Sequence, residues 1–570
     1  MLYLILFYLL LTFICFWAGI LVYSFSFSGK RSERPLIFYC ISGLISLTAI
    51  AQCAVLFTPL NTPIFWGILL LMGLVSFFKR KILDERMKLI RESISVKDKS
   101  FLLCFTCFFL MIVVINAGPT VMDDTDSYHI QMIKWVQEFG TVPGLANLHL
   151  RFGLNSSWFI SAGLMSPSGL KFNHYLILNG TLSIWIVYHF LNKIFQSANQ
   201  GGHQQGMRLA VLILVIFCVI DWPMLRGNAS SANYDFITTS CIVLLFIEGM
   251  DSRPTSEWYF WPLYLFTIRL INLPLLFLSL YFLLAEKRSL KNWVFYLVTG
   301  LILILPFIFR NIILSGYAFF PVYQLDFFSF DWKADREKLV EIMQYIKYYN
   351  RVNPMFEPLS KTMTMGFPAW IWPWYKNLFR FDLILVTISI ISYAAIFIRW
   401  NKFFVKANAS KKVFVLTMFA QLICWFGIAP DPRFAYGPLL FGIFVIVSQF
   451  KFSRHNAGFN MARTGILFLS ILVLGYTVQK IIIDPSYRNW IKPRPLPVPP
   501  LRTIMVDGLE MHIPEKILNN WNPRCYDVSL PCLYKLDPRL EPRGKSLREG
   551  FRISKSRSSD KVEGEYKITE

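Results

Sequence analysis

Apolar stretches close to 20 residues long recur from Met1 to about Ile483. A helix needs roughly 20 such residues to cross the hydrocarbon core of a bilayer. No water is available there to satisfy backbone N–H and C=O groups, so each stretch is read as a helix. Composition agrees, with 55% of the 570 residues hydrophobic and 16% charged, against roughly a quarter charged in soluble domains. The expected fold class is all-α, a polytopic transmembrane helical bundle. The segments are read at 2–27, 36–57, 63–78, 101–118, 174–195, 209–222, 234–250, 291–309, 381–399, 412–428, 435–450 and 464–483. One crossing over 257–285 would carry Lys287, Arg288 and Lys291 to the other side. Two half-length helices, 257–268 and 271–285, turning back near Arg269–Pro274, avoid this. That gives about 14 membrane segments.

The formal net charge is +22. Basic residues gather at Lys30, Arg31 and Arg34, and in 79–99, 287–291, 399–412 and 451–463, whereas 58–62, 119–128 and 429–434 carry almost none. Basic loops stay in the cytoplasm, which places both termini outside. The basic residues are split among short loops and form no stripe, so nucleic acid is not an expected partner and the lipid bilayer is. Met1–Phe27 has no basic start and no small-residue cleavage site, so it is read as a retained span rather than a signal peptide. Walker A, dinucleotide-glycine, G-x-S-x-G and zinc-protease motifs are all missing, which argues against the chemistries they carry.

Three parts then lie outside: 119–173, 310–380 and the tail from Asp484. The patterns at Ile130–Phe139 and Trp158–Met165 predict helices lying on the membrane surface. Trp370, Trp372, Trp374 and Tyr375 suit the interface. The Pro-rich Lys492–Pro500 reads as extended, and 554–570 as disordered. Eight of the ten cysteines sit in apolar spans and pack there. Cys525 and Cys532 fall in the outer tail, where an oxidising compartment permits a disulfide.

The densest chemistry is Asp-Asp-Thr-Asp-Ser-Tyr-His at 123–129. It follows a span directly, and a helix C-terminal end repels carboxylates, so helix stability does not explain Asp123, Asp124 and Asp126. Together with Tyr128 and His129 they suit a general base, a metal site or both; the bland alternative is a solvated acidic loop. Asp235, at the start of another span, reads equally as a functional carboxylate and as a favourable N-terminal acid. Arg269, at the turn of the half-helix pair, needs a carboxylate or phosphate partner. Arg310 ends a span, where snorkelling is an alternative. Two prolines flank Asp431 and fix it and Arg433 in a stiff turn, as a local ion pair or a substrate contact.

These features resemble the GT-C superfamily of membrane glycosyltransferases. More closely, the chain resembles a family of bacterial polytopic membrane proteins over about residues 101–553. The resemblance rests on 123–129, Pro-Gly-Leu-Ala-Asn-Leu-His at 143–149 and Asn-Ser-Ser-Trp-Phe at 155–159. Ser-Gly-Tyr-Ala-Phe-Phe-Pro at 315–321, Ala-Pro-Asp-Pro-Arg-Phe at 429–434, Cys525-x6-Cys532, Arg543-Gly544 and Gly550-Phe551 complete it. It implies a bacterial inner-membrane enzyme. Such an enzyme moves a sugar from a polyprenyl-phosphate-linked donor to a glycan, lipid or protein acceptor on the periplasmic side, by inverting displacement. Asp123 or Asp124 would be the catalytic base. Asp126, Tyr128, His129, Asp235, Arg269, Arg310, Asp431 and Arg433 would contact substrate, and a divalent ion at Asp123, Asp126 and His129 is a further expectation. GT-C enzymes usually place the acidic loop after their first span. Here residues 1–100 come first, as an added module before a 101–483 transferase domain and a 484–553 periplasmic tail. A glycan polymerase or ligase, a transporter or flippase of lipid-linked saccharides, and a non-catalytic scaffold are the competing readings.

Overall fold

The computed structural model describes residues 1–25, 34–93, 98–166, 174–196, 203–250, 256–285, 289–399, 408–450, 461–515, 524–533 and 536–554. The basic residues Lys30, Arg31, Lys287 and Arg288, the 400–407 and 451–460 parts of the basic loops, and 555–570 lie outside the described residues.

The chain is mostly helical. Among the described residues eight helices are long and apolar enough to cross a membrane: Leu2–Ser24, Leu36–Val55, Lys99–Ala117, Gln205–Leu225, Leu290–Ser315, Arg380–Ile398, Ala409–Ile428 and Met461–Ile483. Shorter apolar helices include Thr62–Phe78 and Tyr436–Val447. Phe468, Ile471, Leu472 and Ile482 are exposed on the last long helix, an apolar surface that lipid would cover. Local signals set several ends. Asn61 Oδ1 accepts from Ile64 N at 3.4 Å to start Thr62–Phe78, and Gly316, at φ +83°, ends Leu290–Ser315 in the left-handed conformation that glycine adopts freely. The first two helices touch backbone to backbone. A Cβ on Gly19 would come within 1.9 Å of the Tyr39 carbonyl oxygen, and one on Gly43 within 1.8 Å of that of Cys15, the small-residue packing of membrane helices.

The expected half-helix pair is present as Phe260–Ile268, a 3-10 turn Leu270–Leu275, and Leu276–Leu284. Ser279 Oγ donates to the Tyr259 carbonyl at 2.7 Å, so the halves run antiparallel, and Arg269 sits at their junction in extended conformation.

One expectation is corrected. Helices form at Ile130–Glu138 and Ser157–Met165, but neither lies on a surface. Residues Ile130–Gln137 and the whole of Ser157–Met165 are buried. The tail also adds strands to the helical bundle: Leu501–Val506 pairs antiparallel with Leu509–Pro514, and Leu540–Pro542 with Phe551–Ile553. This tail covers one side of the first of those helices, and Ser157–Met165 packs on another, Gln137 donating to the Gly163 carbonyl at 2.9 Å. Gln131 and Lys134 donate to the carbonyls of Tyr526, Asp527 and Val528 at 2.8–3.1 Å. Cys525 and Cys532 form the expected disulfide in the same loop. The amino terminus donates to the carbonyls of Asn489 at 2.6 Å and Ile491 at 3.2 Å, so both lie at one end of the bundle with the acidic segment.

Candidate functional site: an arginine–aspartate cluster under the tail

The acidic segment leaves the Lys99–Ala117 helix and winds through a π-helical turn, Thr125–His129, into Ile130–Glu138. π turns are short, uncommon and frequent at functional sites. Helical spacing sends the three carboxylates two ways. Asp123, with a side chain 64% exposed, and buried Asp126 both face Arg524 of the tail, the latter at 3.5 Å. Asp124 turns to the opposite side, on the same face as Tyr128.

There Asp124 meets two arginines, with Oδ1 3.4 Å from Arg151 Nη1 and Oδ2 3.3 Å from Arg433 Nη1. The Arg433 Nε lies 3.0 Å from Asp431 and 4.0 Å from Asp235. Asp235 in turn pairs with Arg269. The Arg269 guanidinium lies over the Phe434 ring, 3.5 Å from its centroid, and Arg151 over that of Tyr128 at 5.4 Å. The stiff turn forms as expected: Asp431 Oδ1 accepts from Arg433 N at 3.0 Å, and Trp374 and Trp425 pin the neighbouring carbonyls at 2.7 Å. Three arginines and three aspartates thus converge from the acidic segment, the 150–153 turn, the half-helix junction and two span ends. Their formal charges cancel.

Burial works to raise the Asp124 pKa, but Arg433 and Arg151, with His129, hold it below the ordinary carboxylate value. Asp124 is therefore ionised at neutral pH. Burial would lower Arg433, and Asp431, Asp124 and Asp235 lift it instead. Asp126 differs: burial pushes its carboxyl up to about 6 despite Arg524. His129 is brought down to about 3, chiefly by burial, and so is neutral. It packs on the Tyr128, Phe159 and Tyr234 rings, with centroids 4.4–5.4 Å away.

Asp124, Tyr128, His129, Asp235, Arg269, Asp431 and Arg433 therefore share one neighbourhood, while Asp123, Asp126 and Arg310 stand apart from it. Arg310 is 1% exposed and donates to Asn155; among the described residues it makes no ion pair. The expected divalent-ion set does not fit. Asp123 and Asp126 face the tail, His129 faces aromatic rings, and no described group of three His, Cys, Asp or Glu side chains could hold a metal.

The sequence reading missed Arg151, although it is the one arginine of the 119–173 segment, which is poor in positive charge. It also missed a second network. Arg226 Nε lies 3.0 Å from Asp221 and its Nη2 2.7 Å from Asp382, while the Tyr436 hydroxyl lies within hydrogen-bond reach of both carboxylates. Asp221 sits in another π-helical segment, Ile216–Leu225, which carries Pro223. Intramembrane acids at two span ends were the available signal. No curated protein and no solved structure matches the chain. The family model described as Domain of unknown function (DUF8201) matches residues 1–440, and the chain belongs to that family.

Proposed function

We propose that the chain is a membrane glycosyltransferase. It would transfer a sugar from a polyprenyl-phosphate-linked donor to an envelope glycan, lipid or protein acceptor on the periplasmic face, within a bundle of about 14 membrane segments. One observation carries the reading: an ionised Asp124 held between Arg151 and Arg433, with Arg269 three ion pairs away through Arg433 and Asp235, at one end of an apolar bundle. Guanidinium groups suit phosphate, and a lipid-linked donor needs both a cationic pocket and a bilayer.

In this mechanism Asp124 takes the proton of the acceptor hydroxyl as that oxygen attacks the anomeric carbon. The bond from that carbon to the donor phosphate oxygen breaks, and its electron pair stays on the phosphate, facing Arg269 and Arg433. Single displacement inverts the anomeric centre. The arginines that hold Asp124 ionised also make it a weak base. Donor phosphate engaging Arg433 would weaken that hold and raise the carboxylate's proton affinity only when donor is bound. Neutral His129 and the Tyr128–Tyr234 pair, with hydroxyls 3.5 Å apart, wall the site.

A flippase of lipid-linked saccharides is the second reading, supported by the broken half-helix pair with Arg269 at its junction. Purified protein incubated with polyprenyl-linked donors extracted from the source cells separates the two. A transferase yields sugar joined to acceptor with inverted configuration. A flippase yields intact donor moved across a vesicle wall and no new glycosidic bond.

A further inference from the structure

A charged cavity also lies away from Asp124. A cleft of about 1300 Å³ opens between the 317–341 segment, the tail around Leu536–Arg539 and the 146–150 turn. Its floor is Ala146, Tyr317 and Ala334, which pack with Leu339 behind them in a small apolar cluster. Its walls carry charges of both signs, and they are paired: Lys333 with Asp326, Lys338 with Asp537, and Arg539 with Asp335 at 3.4 Å and with Asp537 at 3.3 Å. Phe330 lines it as well and stacks on Trp332 at 4.4 Å and 11°.

We infer that this cleft binds the acceptor, and that the acceptor end it takes is a neutral, hydroxyl-rich saccharide. The walls supply Asp326, Asp331, Asp335, Glu341 and Asp537 against Lys333, Arg336, Lys338 and Arg539, so the formal charge is close to neutral and slightly negative. Such a lining gives an anionic ligand no net attraction, while the apolar floor and Phe330 leave the C–H faces of a sugar something to pack on. Each sugar hydroxyl both donates and accepts, so it can bridge a carboxylate and a neighbouring ammonium or guanidinium without breaking the pair. The volume exceeds the usual range of small-molecule sites, roughly 300–1,000 Å³, and suits several joined sugars. Position links the cleft to the chemistry. His149 and Leu150 line it, and the next residue, Arg151, reaches Asp124. The His149 Nδ1 accepts from the Arg151 backbone N–H at 2.9 Å, tying the cleft wall to the arginine. The acceptor role rests on the transferase reading; saccharide binding does not.

The test is binding, not turnover. Detergent-purified full-length chain is applied to a glycan array carrying neutral, uronate-bearing and phosphate-bearing oligosaccharides. It is compared with Ser329→Trp, which fills the cleft from an exposed position, with Glu341→Lys at its rim, and with Asp124→Asn; thermal melting confirms that each is folded. Wild type and Asp124→Asn should retain neutral glycans alike, and Ser329→Trp should lose roughly tenfold or more, the scale of a blocked binding pocket. Absence of neutral-glycan binding by wild type, a preference for the anionic glycans, or equal binding by Ser329→Trp would overturn the inference while leaving the Asp124 chemistry to its own assay. Glycan binding without any sugar transfer would sustain the cleft and sink the transferase reading.

Discussion

Asp123 and Asp124 are neighbours in sequence with opposite surroundings. Asp123 is largely exposed against a tail arginine, whereas Asp124 lies between Arg151 and Arg433. Replacing Asp124 with asparagine keeps its shape and removes the base, so transfer should fall by roughly 10²-fold or more. Asp126 sets a pH dependence instead. Its folded carboxyl titrates at about 6, against an ordinary value of 3.8. Between those values the folded chain holds the proton that the unfolded chain releases, so this group's contribution falls as pH rises from about 4 to about 6. Asp126→Asn should therefore melt higher than wild type above about pH 7, by about 3 kcal/mol, with the gap closing below about pH 4. An unchanged gap across that range would show that burial of Asp126 is not its cause. The acidic run was legible because three carboxylates after a helix C-terminal end need a reason. Their division between two faces was not, because 119–128 reads as a loop, and helical spacing sorts side chains only once the segment is known to be helical.

The half-helix pair and the disulfide loop carry the site at the scale of elements. Arg269→Ala leaves buried Asp235 without its nearer partner and with only Arg433 at 4.0 Å, a loss of up to about 3–5 kcal/mol, while pairing Arg269→Met with Asp235→Asn should recover most of that stability. Thermal melts measure the recovery, and transfer should remain lost in the double variant if Arg269 also serves the phosphate. Cys525→Ser with Cys532→Ser opens a short covalent loop, a loss of about 2–3 kcal/mol. Because that loop's carbonyls hold Gln131 and Lys134, amide exchange in 125–137 should speed up as well; unchanged exchange would mean the tail does not hold the acidic helix. The half-helix pair could be read in advance from charge alone, since Lys287, Arg288 and Lys291 had to return to one side. The burial of Ile130–Gln137 could not, because part of its cover arrives from a tail some 390 residues later in the chain.

For the whole molecule, apolar length and sparse charge were enough to read a helical membrane protein. The paired strands of the tail and the Asp221–Arg226–Asp382–Tyr436 network were invisible, since each depends on contacts between distant segments. The amino terminus, the acidic segment and the tail share one end, and the placing of that end outside the cytoplasm rests on the basic loops. A membrane-impermeant thiol reagent should label Met505→Cys in intact cells and leave Asp84→Cys untouched; the reverse pattern would invert the orientation. The most direct test of the central claim compares purified wild type, Asp124→Asn and Asp123→Asn for sugar transfer from extracted polyprenyl-linked donors. The account predicts transfer by wild type, near-wild-type transfer by Asp123→Asn and almost none by folded Asp124→Asn. Equal transfer by wild type and Asp124→Asn would contradict it and return the arginine–aspartate cluster to a structural role.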